Sequence, residues 1–148
     1  MYFDLCLISF VSTGEGATQN LSRALDLYET AASPPHTSPP ALNGLGYLYF
    51  HGVKKVGASG VLEDEYILRP NYTRAFGYFD QAGKLDGGGR GDALYNAGFM
   101  LDKGYVPELG GRQEAIGYYN KAAIECGHFD AVATLGIYYA QVLHLALF

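Results

Sequence analysis

Ala41-Leu42-Asn43-Gly44-Leu45-Gly46-Tyr47-Leu48-Tyr49-Phe50-His51-Gly52 is the stretch that decides the fold, because the chain repeats it. It returns 52 residues later as Ala93-Leu94-Tyr95-Asn96-Ala97-Gly98-Phe99-Met100-Leu101-Asp102-Lys103-Gly104. It returns again, 38 residues further on, as Ala131-Val132-Ala133-Thr134-Leu135-Gly136-Ile137-Tyr138-Tyr139-Ala140. The leading Ala and the inner Gly keep the same offsets. Self-similarity at such a period marks a repeat architecture, in which one supersecondary unit is copied along the chain. We name this stretch segment A.

A second pattern fills the intervals. Ala24-Leu25-Asp26-Leu27-Tyr28-Glu29-Thr30-Ala31-Ala32 matches Ala75-Phe76-Gly77-Tyr78-Phe79-Asp80-Gln81-Ala82-Gly83, and both match Ala115-Ile116-Gly117-Tyr118-Tyr119-Asn120-Lys121-Ala122-Ala123. Its apolar positions fall at i, i+1, i+3, i+4, i+7 and i+8, a helical face and not an alternating strand. This is segment B. The chain reads A-B-A-B-A-B-A, with a degenerate first A over Phe3 to Ser12. The expected fold is all-α: one solenoid of stacked helix-turn-helix units over residues 1–148. The units are 1–32, 41–83, 93–123 and a partial 131–148. Both ends read as cut points in a longer array. The middle A-to-B connection is longer than its counterpart, and the excess, 53–70, is expected to be a loop insertion.

Residue types support this reading. A helix pair cannot bury its apolar stripe alone, so such units stack. Gly46, Gly98 and Gly136 share one site in segment A, and Ala24, Ala75 and Ala115 share one in segment B. Small residues at fixed sites suit close helix crossings, and closer packing offsets the roughly 1 kcal/mol that an interior Gly costs a helix. Gly14, Gly52 and Gly104 follow segment A, where a helix C-cap favours Gly. Asn20 and Asn71 stand four residues before the segment B alanine, where an N-cap is expected. Pro34, Pro35, Pro39 and Pro40 interrupt one B-to-A connection.

Composition narrows the function. Of 148 residues, 49% are apolar and 17% charged, too apolar for a disordered chain. A net charge of −5 offers no electrostatic case for nucleic acid or an anionic membrane surface. Met1 to Val11 lacks the basic start of a signal peptide. Val142 to Phe148 is too short to span a bilayer, so no membrane insertion is expected in this segment. Cys6 and Cys126 match no metal spacing and are expected to be buried free thiols.

The combined pattern, A-x-x-x-L-G-x-x-Y-x-x-G, a turn, then D/N-x-x-K/R-A-x-x-Y-x-x-A-A, resembles the Sel-1-like repeat, a relative of the tetratricopeptide repeat. Gly14 to Ala24 is similar to the family's inter-helix turn. Ala41 to Gly52 and Ala93 to Gly104 are similar to its first helix, and Ala75 to Gly83 and Ala115 to Ala123 to its second. Gly111 stands where the family has a capping Asp or Asn, which predicts a weaker helix start. The resemblance implies a right-handed α/α solenoid and a non-catalytic adaptor in multiprotein assemblies. Gly44 to Gly52 and Asn71 to Ala75 look similar to the eukaryotic branch. That branch serves a membrane ubiquitin ligase in endoplasmic-reticulum-associated degradation, with misfolded glycoproteins and lectins as partners. Localisation in, or membrane-associated with, the endoplasmic reticulum lumen follows. The alternative is a cytoplasmic or bacterial-type regulatory scaffold in signalling.

No catalytic constellation, cofactor site or metal site emerges. His36, His51, His128 and His144 form no ligand pair at helical spacing. His51 suits the end of a helix dipole. Gly87-Gly88-Gly89-Arg90-Gly91 lacks the phosphate-loop spacing and follows a helix, so it reads as a connection. Glu63-Asp64-Glu65 reads as a solvated loop. Two sequons, Asn20-Leu21-Ser22 and Asn71-Tyr72-Thr73, are candidate N-glycosylation sites. Tyr47, Tyr95 and Asn96 flank the packing positions of segment A and are candidate partner-binding residues, since aromatics anchor interfaces. Exposed apolar ends predict self-association when the 148 residues stand alone.

Overall fold

A computed structural model describes residues 15–35, 37–56 and 62–147. Within them the helices are α1 (Glu15–Ala32), α2 (Pro39–His51), α3 (Tyr72–Gly83), α4 (Arg90–Asp102), α5 (Arg112–Cys126) and α6 (Phe129–Leu147). Strands β1 (Val53–Val56) and β2 (Leu62–Leu68) lie between α2 and α3, and a 3-10 turn, Pro107–Leu109, between α4 and α5. Each helix packs on the next in sequence, and α2 also packs on α4, which carries the stack from one repeat to the next. The chain is thus an all-α helical repeat. Segment A corresponds to α2, α4 and α6, and segment B to α1, α3 and α5. The degenerate copy expected over Phe3 to Ser12, together with Cys6, Gly14 and His36, lies outside the described residues.

The small residues sit where helices cross. Ala75, Ala82, Ala115 and Ala122 are fully buried. Phe79 of α3 lies on Gly46 of α2, so that a β-carbon on Gly46 would fall 2.5 Å from the ring. Tyr119 of α5 lies on Gly98 of α4 in the same way. Burying such a ring is worth about 1.5–3 kcal/mol, more than the roughly 1 kcal/mol helix cost of the glycine beneath it.

Helix ends follow local chemistry. Pro39 and Pro40 occupy the first turn of α2, where their missing N–H groups cost nothing, and the Ser38 side chain accepts from Ala41 N. The helix therefore starts two residues before the repeat's Ala41. Asn71 caps α3, its Oδ1 accepting from Arg74 N at 2.9 Å. Gly111 supplies no side chain, yet α5 is not left open: Glu114 reaches back to accept from Gly111 N at 2.8 Å. That hydrogen bond holds the Glu114 carboxyl below its ordinary value.

Three expectations are corrected. Asn20 is not an N-cap, because α1 already begins at Glu15. No proline separates Glu15 from Asn20, and the helix runs through Gly16 in its first turn and on past Asn20. The 53–70 insertion is not a loop but an antiparallel hairpin, with Val53 opposite Leu68 and Lys54 opposite Tyr66. Lys54 lies 3.6 Å from Asp64 and Lys55 3.0 Å from Glu65, so the acidic run is answered by cross-strand charge. Gly52 enters the hairpin with φ +67°, and a β-carbon there would fall 2.6 Å from Leu68 O. Cys126, third, is exposed. It ends α5 beyond the last buried position of that helix, Ala122.

Candidate functional site

Tyr47 and Asn96 belong to equivalent helices of neighbouring repeats, 49 residues apart, and the structure joins them. Asn96 Nδ2 donates to Tyr47 Oη at 3.0 Å and to Asn43 Oδ1 at 3.4 Å. Asn43 is buried, so this bond satisfies a polar group that would otherwise be costly. Tyr47 also meets Phe79 edge-on at 5.5 Å and stacks on His51 at 6.3 Å.

Tyr95 lies one residue before Asn96 and reaches the following repeat. It stacks on His128 at 4.8 Å and tilts against Tyr119 at 5.5 Å. The His128 ring is held at both ends. Its Nδ1 accepts from Ala131 N at 3.3 Å, which caps α6, and its Nε2 stands 3.1 Å from Asp92 Oδ1. An accepting Nδ1 puts the proton on Nε2, which then donates to Asp92. Tyr47, Tyr95 and Asn96 are thus half-buried. They form a row across successive repeats: part spacer between units, part surface.

A second aromatic group gathers where α2 and α4 end. Phe50 meets Tyr105 at 4.9 Å and Tyr72 at 5.6 Å, and Tyr72 meets Tyr105 at 4.9 Å. Tyr72 remains partly open. Asn71, beside it, is exposed. Its cap uses Oδ1, which leaves Nδ2, the atom that carries a glycan in a sequon, outside the capping bond. Asn20 lies within α1.

Charged side chains tie helices together, some within one unit and some across two. Asp102 is nearly buried, 3.2 Å from Arg112 Nε and 3.5 Å from Lys103 Nζ. Burial pushes its carboxyl upward, but hydrogen bonds from Tyr138 and Arg112 and the charge of Lys103 outweigh this and hold it below the ordinary value. Burial and the bond to Asp102 push Tyr138 up to about 12. Tyr118 Oη donates to Asp80 at 2.7 Å, linking α5 to α3, and burial followed by that bond raises its pKa. Arg90 donates to Gly83 O at 3.1 Å and to Glu125 at 2.6 Å.

The glycine connection Gly87 to Gly91 borders an open hollow of about 650 Å³, together with Glu125, Cys126 and His128. Among the described residues no group of three or more His, Cys, Asp or Glu is placed to hold a metal. Among them, too, no helix is long and apolar enough to cross a membrane. The sequence signals for the Asp80–Tyr118 and Asp102–Arg112 clasps were absent, since neither pair forms a local motif. His128 as a cap was legible as a polar residue just before a segment A copy, where a helix N-cap falls.

The Sel1 repeat family model matches residues 2–33, 39–87 and 91–125. Neither the curated proteins nor the solved structures give a match.

Proposed function

Because this chain belongs to the Sel1 repeat family, whose repeats are protein-interaction units, we propose that it is a non-catalytic adaptor for endoplasmic-reticulum-associated degradation. In this reading it stands in the endoplasmic reticulum lumen, alongside a membrane ubiquitin ligase. Misfolded glycoproteins and their lectins are its partners. The observation that carries the scaffold reading is the row of half-buried Tyr47, Asn96 and Tyr95. It ties adjacent units at fixed spacing while keeping aromatic surface available. Such rings supply large contact area with few rotatable bonds, which suits them to anchor a partner.

Support for the lumenal setting comes from Asn71. Its sequon is exposed, and the capping geometry leaves the amide nitrogen clear. Native protein from its host, treated with an N-glycosidase, should shift on a gel. Thr73→Ala should abolish the shift, since it removes the sequon and spares the Asn71 cap. Protein that does not shift counts against the lumenal adaptor and favours a cytoplasmic scaffold of the same fold.

A further inference from the structure

His128 serves two helices at once. Its backbone N–H closes the end of α5 on Ala122 O at 3.0 Å, beside the bond from Gly127 N to Ala123 O at 3.1 Å. Its carbonyl accepts the first α6 bond, from Val132 N at 3.1 Å, and its Nδ1 accepts from Ala131 N at 3.3 Å. The side-chain cap of α6 is therefore an imidazole lone pair. Ser38 and Asn71 cap α2 and α3 with oxygens, which remain acceptors whatever the pH. Histidine differs, because its ordinary charge change falls between about pH 5 and pH 8. A protonated imidazole donates from both nitrogens and accepts at neither.

We propose that protonation of His128 uncaps α6 and makes the α5–α6 junction an acid-sensitive hinge. Its neighbours decide which side gives way. On α4, Asp92 Oδ1 stands 3.1 Å from Nε2, and Tyr95 stacks on the ring at 4.8 Å. Both contacts tighten on an imidazolium, by charge pairing and by cation–π attraction. The α5 bonds to Gly127 and His128 use backbone groups and do not depend on the proton. The other charged and titratable groups around the hollow leave this balance in place. Arg90 is engaged by Glu125 and Asp86, Cys126 opposes Gly91, and Asp130 is an exposed residue of α6 itself. The ring is thus held on α4, whereas Phe129, the first residue of α6, is 88% exposed. With Nδ1 and Ala131 N both donors, the first turn of α6 loosens from the ring. Leu135 is buried and Tyr138 is bonded to Asp102, which confines the loosening to that turn. The same proton places a positive charge beside Tyr95, whichever partner the scaffold takes.

Nuclear magnetic resonance of the isotope-labelled protein tests this between about pH 8 and pH 5. The His128 imidazole signal is assigned by its absence in His128→Asn. As it titrates, exchange protection of the Ala131 amide, corrected for the intrinsic effect of pH, should fall about fivefold or more, the size of a lost cap. The Leu135 amide should keep its protection. In His128→Asn the cap does not titrate, so Ala131 protection should stay level across the range. Unchanged protection at Ala131 while His128 gains its proton overturns the proposal. So does an equal loss in His128→Asn, or a loss at Leu135 in step with Ala131, which marks general acid unfolding. An imidazole that stays neutral down to about pH 5 overturns it as well.

Discussion

The ring of Phe79 rests directly on Gly46, close enough that a single methyl group on the glycine would fall 2.5 Å from it. Tyr119 repeats the relation on Gly98, where the corresponding distance is 2.9 Å and the carbonyl of Ala115 lies 3.2 Å away. Gly136 occupies the same register and has no such neighbour. Three glycines that look alike in sequence are therefore unequal in the fold.

This predicts opposite signs for one substitution. Gly46→Ala and Gly98→Ala force a buried ring to move, and overpacking of this kind costs about 1–3 kcal/mol. The helix propensity of Ala returns about 1 kcal/mol, so both variants should be destabilised, Gly46→Ala more. Gly136→Ala gains the propensity without the clash and should be stabilised by up to about 1 kcal/mol. Urea unfolding of the three variants measures the order.

Asp102 gives a pH dependence. Its carboxyl is held below its ordinary value in the fold. It therefore contributes stability above the unfolded carboxyl pKa, and that contribution is lost as pH falls through the lower folded value. Asp102→Asn should cost about 1.5–3 kcal/mol at neutral pH, the range for a hydrogen bond to a charged group. It should also flatten the loss of stability below about pH 4. Thermal melts at a series of pH values test both parts. Equal acid sensitivity in the variant would assign the loss to other carboxylates.

Asn96→Ala leaves Asn43 buried without its partner and Tyr47 without its donor. The expected cost is about 1–3 kcal/mol, the desolvation penalty of an unsatisfied buried group. Tyr47→Phe removes only the hydroxyl and should cost about 0.5–1.5 kcal/mol. A double-mutant cycle should show strong non-additivity, because both changes break one bond.

Glu114→Ala should weaken the start of α5 by about 0.5–2 kcal/mol, the range for loss of a cap. Gly111→Asn should recover much of this, since it restores a side-chain cap at the same position. Chemical unfolding of the single and double variants reads the recovery.

The repeat was legible because it leaves a fixed offset in sequence, and small residues recur where backbones must approach. The hairpin was not. Its strands are short, rich in Lys, Asp and Glu, and fall where the offset breaks, so the excess residues read as loop. Asn20 read as a cap by analogy with Asn71, yet only Asn71 follows a true break, Arg69-Pro70. Cys126 fits the apolar period of α5, but what α4 sets against it is Gly91, which has no side chain to cover it. Tyr47, Tyr95 and Asn96 were legible as positions flanking the packing residues. Their bonds to one another and to His128 were not, because those partners lie a repeat apart and depend on how the units stack.

The most direct test of the scaffold is what it holds. The tagged chain, recovered from its native host after mild crosslinking, should bring down membrane ubiquitin-ligase components and lumenal lectins, identified by mass spectrometry. Tyr47→Ala and Tyr95→Ala together should reduce that recovery while the protein stays folded. Recovery of cytosolic kinases or secretion machinery alone, or of nothing beyond the untagged control, would contradict the account.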